Sequence, residues 1–195
     1  MLLVVLVSCL RCAFAWNISL EVTAQASGAR GGEPFDAQPL LSVFDKGGGT
    51  LQSTFRGRAT VSIEESPPRA HVPVLAEGGS EGAHESDTPV SRDVEDGRVR
   101  FEGLRIDPAG TYRLRFVLYD EHDLLMYSVL GDELQVKVGD AYQIGIARQP
   151  ESAYGGSEFG SQPIVALRDR GGNTVSGANE GAVRSRTGLD SCALR

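Results

Sequence analysis

The strongest constraint on this chain is that it repeats itself. Gly31-Gly32-Glu33-Pro34-Phe35-Asp36-Ala37-Gln38-Pro39 returns as Gly155-Gly156-Ser157-Glu158-Phe159-Gly160-Ser161-Gln162-Pro163, 124 residues on. The correspondence continues from Asp45-Lys46-Gly47-Gly48-Gly49-Thr50 to Asp169-Arg170-Gly171-Gly172-Asn173-Thr174. Upstream, Leu20, Val22 and Gln25 map to Ile144, Ile146 and Gln149. The shared pattern Gly-Gly-x-x-Phe-x-x-Gln-Pro-x5-Asp-x-Gly-Gly-x-Thr is too long for chance. Such internal similarity marks a fold built from copies of one unit.

Each copy reads as strand, turn, strand. Leu20 and Val22 alternate with polar residues, the period of a half-buried strand. Gly31-Gly32 supplies a turn, and Gln38 to Phe44 forms the second strand. Pro39 is tolerated near its start, where no ladder donor is needed. Asp45 to Gly49 is a Gly-rich turn, with Asp45 and Asp169 as turn-capping residues. The first copy continues with alternating stretches at Arg58–Glu64, Arg98–Leu104 and Tyr112–Leu118. A short stretch at Leu124–Leu130 and another at Glu133–Val138 close it. No helical period is sustained, so the class is all-β. Between 66 and 95 the chain turns rich in Pro, Gly, Ser and acid, as an inserted surface loop does, with a short strand candidate at His71–Leu75.

With 41% hydrophobic residues the chain can bury a core. Its net charge of -7 argues against a dedicated nucleic-acid binder. No segment after the first residues is long and apolar enough for a membrane span.

The amino end, MLLVVLVSCL-Arg11-Cys12-Ala13-Phe14-Ala15, has the form of a secretory signal peptide, residues 1–15. Two rivals are a first core strand, which strands Arg11 among apolar residues, and a lipoprotein leader. The second has lipobox-like Leu6-Val7-Ser8-Cys9 but no basic start. Cleavage after Ala15 removes Cys9 and Cys12 and leaves Cys192 as the single thiol. An odd Cys in a secreted chain suggests intermolecular pairing or an incomplete protein. Asn17-Ile18-Ser19 is a glycosylation acceptor pattern just behind that point, and an unmodified strand Asn17 is its alternative.

Three motifs occur in order: Phe35-x-x-Gln38-Pro39 with Asp45, then Gly97-x-Val99-x-Phe101-x-x-Leu104, then Asp107-Pro108-Ala109-Gly110-Thr111-Tyr112-x-Leu114. Together they resemble the tandem immunoglobulin-like repeats of filamin-type and invasin-type extracellular proteins, over Trp16 to Val175. The resemblance implies an immunoglobulin-like β-sandwich, one complete repeat (16–140) plus an incomplete second repeat (141–175). Gly110-x-Tyr112 resembles the tyrosine corner of such sandwiches. Leu114 stands where antibody domains carry Cys, so an antibody-type domain is disfavoured. The second copy loses its match after Val175. The tail 176–195 has no counterpart to Thr60-Val61-Ser62-Ile63 and reads as disordered. A truncated product of a multi-repeat parent is the preferred reading. Strands borrowed from a partner are the alternative.

Chemistry is sparse. His71, His84 and His122 are scattered, without metal-ligand spacing, and there is no Gly-x-Ser-x-Gly elbow. The acids around Tyr119-Asp120-Glu121-His122-Asp123 suit a solvated turn better than a calcium loop. No catalytic, cofactor or metal residue is expected. Arg98, Arg100, Arg113 and Arg115 lie on outward strand faces and could meet an anionic glycan, although in this fold class their strands belong to opposite sheets. The structural positions are Phe35, Gln38, Pro39, Asp45 and Tyr112, with Phe159, Gln162, Pro163 and Asp169 repeating the first four. The expectation is a secreted, non-enzymatic interaction module, with protein partners or further repeats. An anionic-glycan module and an accessory domain of a secreted enzyme are the alternatives.

Overall fold

The computed structural model describes residues 18–47, 49–68, 75–77, 89–152 and 154–176. The leader, Asn17, most of the 66–95 insertion and the tail from 177 onward lie outside them. The described chain is all-β, and its strands pair antiparallel, with one isolated parallel bridge between Arg30 and Lys137: β1 (Ile18–Ala24), β2 (Leu40–Asp45), β3 (Gly57–Glu65), β4 (Leu75–Glu77), β5 (Val90–Asp93), β6 (Arg98–Arg100), β7 (Leu104–Ile106), β8 (Gly110–Asp120), β9 (Leu125–Val136), β10 (Gln143–Arg148) and β11 (Ile164–Arg168).

One sheet runs β1-β2-β6 and another β5-β3-β8-β9; β4-β7 and β10-β11 are separate pairs. Alternation explains the core. Tyr112, Leu114, Phe116 and Leu118 on one face of β8 are all buried, and so are Ala59 and Val61 of β3. Leu20, Leu41, Val43 and Val99 bring the inward face of the first sheet to the same core. Phe101 meets Phe116 with ring centroids 5.9 Å apart and planes tilted by 44°, a geometry that suits the ring quadrupoles. Each such side chain, fully withdrawn from water, contributes about 1.5–3 kcal/mol before chain entropy is subtracted.

Three strand expectations change. The stretch 66–95, read as a surface loop, ends in β5, which pairs with β3 as an edge of the four-stranded sheet. Arg98–Leu104 is not one strand. Gly103 sits at φ 68°, in the left-handed region, and turns the chain off the β2 edge so that β7 pairs with β4 instead. Leu124–Leu130 and Glu133–Val138 are not two strands. They form the single β9, which follows β8 on both sides of a register shift at Gly131-Asp132. That break in alternation is a β-bulge, and Gln25 Oε1 accepts from the Asp132 amide there at 3.1 Å.

The five residue pairs of β10 with β11 fall 124 residues beyond five pairs of β1 with β2, including the bulge before the last pair. The bridge Ser27↔Ala37 likewise returns as Glu151↔Ser161. The sequence repeat is thus a repeat of backbone pairing.

Candidate functional site

Two places stand out: the junction between the first unit and the β10–β11 pair, and the open side of that pair. No group of three or more His, Cys, Asp or Glu among the described residues is placed to hold a metal ion.

The junction is built on Asp169. Its homologue Asp45 is half-buried and caps its own turn, accepting from the Thr50 amide at 3.2 Å. Asp169 does the same for Asn173, at 2.8 Å, but is wholly buried and does more. Its Oδ2 also accepts from the Gly139 amide at 2.8 Å, in the linker leaving β9. The Asn173 carboxamide then crosses to the first unit. Its Nδ2 donates to the Asp107 carbonyl at 2.8 Å, and its Oδ1 accepts from the Ala109 amide at 2.8 Å. Nδ2 also contacts both Asp169 carboxylate oxygens, at 3.1 and 2.9 Å. The Tyr112 hydroxyl donates to the carbonyl of Pro108, the residue between those two, at 2.9 Å. One corner, Asp107-Pro108-Ala109, is therefore held from below by Tyr112 and from above by Asn173.

Glycine makes this contact close. A Cβ on Gly171 would collide with the Asp107 carbonyl oxygen, and one on Gly31 with the Asn173 amide nitrogen. Arg170 lies over the Tyr142 ring at 4.5 Å from its centroid, closing the rim. Burial raises the Asp107 carboxyl above its ordinary value. The Arg105 guanidinium opposes that, and the Asp169 charge adds to it. Arg105 Nε stands 3.4 Å from Asp107 Oδ1.

Sequence reasoning identified Asp169 as a turn cap and missed Gly139 and Asn173 as its partners, and Asp107 and Ala109 as those of Asn173. A signal was present: Asn173 stands where the first copy has Gly49, in a loop that otherwise matches closely. Gly49 has no carboxamide to offer, and none of the described residues comes within 4 Å of its Cβ position.

The open side is the converse. Gln38 Nε2 donates to the carbonyls of Phe35 (3.0 Å) and Leu104 (3.2 Å), and Gln38 Oε1 accepts from the Leu104 amide (3.0 Å). Gln162 repeats only the first bond, to Phe159, at 3.5 Å. Phe35 and Pro39 are buried, whereas Phe159 and Pro163 are exposed. Leu20 and Leu41 are 2% and 0% exposed, and their homologues Ile144 and Val165 are 63% and 46% exposed.

The four arginines do not gather. Arg98 and Arg100 are on β6 and Arg113 and Arg115 on β8, in different sheets. Arg115 forms a two-pronged pair with Glu64, at 2.7 and 2.6 Å, and this pairing lowers the Glu64 carboxyl and raises the guanidinium. Arg113 lies 3.8 Å from Glu65. Arg98 and Arg100 share a groove with Arg92 and with Asp93, Glu95, Asp96 and Glu102, so its charges are mixed. The acidic turn is also different from a simple solvated one. Asp120 is buried and its Oδ1 accepts from both the His122 and Leu124 amides, at 2.9 and 2.8 Å, so that oxygen holds the turn itself, while Glu121, His122 and Asp123 are exposed.

No family model and no curated protein matches this chain. No helix among the described residues is long and apolar enough to cross a membrane.

Proposed function

We propose that this chain is a secreted or extracellular structural and interaction module of immunoglobulin-like β-sandwich repeats, one complete and one incomplete, of the kind strung along multi-repeat cell-surface proteins. The observation that carries the reading is the junction. A second copy of the first unit's opening strand pair is seated, in identical register, on a corner of the first unit by Asp169 and Asn173. Such an arrangement transmits orientation from one unit to the next, which is what a chain of repeats requires.

The sandwich reading draws on strand order. β1-β2-β6 facing β5-β3-β8-β9 follows the A-B-E and C′-C-F-G order of immunoglobulin-type sheets, with Tyr112 bonded back across a corner. Contacts are made through strand edges and loops rather than a pocket, and the chain is non-enzymatic on this reading. The alternatives, an anionic-glycan module or an accessory domain of a secreted enzyme, lack an observation of their own. The arginines meant to hold a glycan are split between sheets or faced by carboxylates.

The test is expression of the full chain in a secretory host. The expected product appears in the medium with Trp16 as its first residue, and glycosidase treatment reports on Asn17. Retention in the cytosol with Met1 intact overturns the extracellular reading. Retention on heparin at physiological salt would instead favour the glycan module.

A further inference from the structure

We propose that the seating of the β10–β11 pair on the first unit is a proton-controlled latch, held tighter in mild acid than at neutral pH, with the Asp107 carboxyl as the group that takes up the proton. The inference concerns the junction alone and stands whichever compartment the chain occupies.

The geometry is an interface that carries two carboxyl groups and one cation. Asp107 belongs to the corner that the second unit grips, and its side chain is 46% exposed. Asp169 belongs to the turn that does the gripping and is wholly buried. Asn173 Nδ2 stands between the two residues, 2.8 Å from the Asp107 carbonyl and 2.9 Å from Asp169 Oδ2. Asp169 accepts from the Gly139 amide, the Asn173 amide and Asn173 Nδ2. All are N–H donors, the partners that an ionised carboxylate takes.

The charges around this seat do not favour a second carboxylate. Among the described residues, only Arg105 of β7 forms an ion pair with Asp107, its Nε 3.4 Å from Oδ1. Arg30, in the turn beside the corner, and Lys137 and Asp140, in the linker after β9, form none with it. On the second unit, Arg170 lies over the Tyr142 ring, 4.5 Å from its centroid. Seating therefore brings Asp107 a negative charge and takes away water, and brings it no cation in return. Both effects act against its ionised form. In keeping with this, burial raises the Asp107 carboxyl above its ordinary value, Arg105 opposes that, and the Asp169 charge adds to it. Arg105 stays beside Asp107 whether or not the second unit is seated, so the difference between the two states comes from burial and Asp169.

Lifting the second unit away returns water to Asp107 and removes the Asp169 charge. The two states hold the Asp107 proton unequally, and seating is linked to pH. The seated state has the raised value. Its advantage is full below the ordinary value, near 3.8, and is lost as pH rises through the raised one. The corner is not dismantled, because Tyr112 holds the Pro108 carbonyl from within the first unit at 2.9 Å. The chain thus stiffens between its units in acid and gains freedom there toward neutral pH.

The experiment follows amide exchange of the full chain from pH 4 to pH 7, each rate divided by that of an unstructured peptide at the same pH. Protection of the Ala109 and Gly139 amides, bonded to Asn173 and Asp169, should fall as pH rises, while β3 and β8 hold constant. In Asp107→Asn, which keeps the backbone carbonyl that Asn173 grips, the fall should vanish and protection should stay near the acid level of the wild type. A reciprocal measurement serves if that variant does not fold. The Asp107 carboxyl, titrated by NMR, should move to lower pH in Asn173→Ala, which unseats the pair. Protection at both amides that is the same at pH 4 and pH 7 overturns the proposal. So does a fall that persists in Asp107→Asn. Protection lost toward acid places the controlling proton on Asp169 and also overturns it. A change shared by β3 and β8 makes the effect global and counts against a latch.

Discussion

Replacing Asn173 by alanine tests the junction most directly. The change deletes both hydrogen bonds from its carboxamide to the first unit, at 2.8 Å each, and its two contacts with Asp169. A neutral bond contributes about 0.5–1.5 kcal/mol net, and one to an ionised carboxylate about 1.5–3 kcal/mol. The simple sum overstates the loss. Asp169 keeps the Gly139 amide and the backbone amide of residue 173, and the exposed groups at Asp107 and Ala109 are only partly shielded from water. We expect about 2–4 kcal/mol, confined to the seating of β10–β11 on the first unit. Native-state amide exchange reads this locally. Since a factor of ten corresponds to about 1.4 kcal/mol, the Ala109 and Gly139 amides should exchange roughly 30- to 1000-fold faster, while β3 and β8 are unchanged. Unaltered exchange at both amides would refute the clamp. Equal acceleration across β8 would show that the loss is global and that the junction is not a separable element.

Three further outcomes follow from the same geometry. Gln38→Ala should cost about 1.5–3 kcal/mol in urea unfolding, because three bonds to Phe35 and Leu104 go with it, whereas Gln162→Ala should stay within about 0.5 kcal/mol. Tyr112→Phe removes the bond to Pro108 and should lower stability by about 1–2 kcal/mol by the same assay. The third concerns pH. The folded chain holds the Asp107 proton more tightly than the unfolded chain, whose value is near 3.8. The contribution of Asp107 is therefore best below that value and declines as pH rises through the raised one. The difference between wild type and Asp107→Asn, followed from pH 3 to 6, should have this sign; a difference that is flat or of opposite slope rejects the assignment.

How much of this could be read beforehand depended on the kind of interaction. Period-2 alternation is imposed by the backbone, so the buried faces of β1, β2, β3 and β8 were legible from Leu20, Leu41, Val61 and the Tyr112-to-Leu118 series. Bulges and left-handed turns disturb that alternation. Gly131-Asp132 read as a gap between two strands, while ladder pairing to β8 carries one strand straight through it. Gly103 did the reverse: the apolar spacing of Val99, Phe101 and Leu104 looked continuous, and only its positive φ separates β6 from β7.

The junction was illegible for a different reason. Its bonds join residues 107, 109, 139, 169 and 173, and no local pattern connects a carboxamide to a backbone carbonyl 66 positions away. A repeat nevertheless carries that information in its departures. Where two copies share a residue, the shared residue serves what both units need, as Gln38 and Gln162 do for their own turns. Where they differ in an otherwise matching loop, the difference marks surroundings that are not shared. Gly49 faces open space, and Asn173 faces another unit. The same comparison, run the other way, identifies the open strand edge. Ile144, Val165 and Gln162 keep the chemistry of Leu20, Leu41 and Gln38 although, among the described residues, no strand pairs with β11 on the side where β6 pairs with β2 in the first unit.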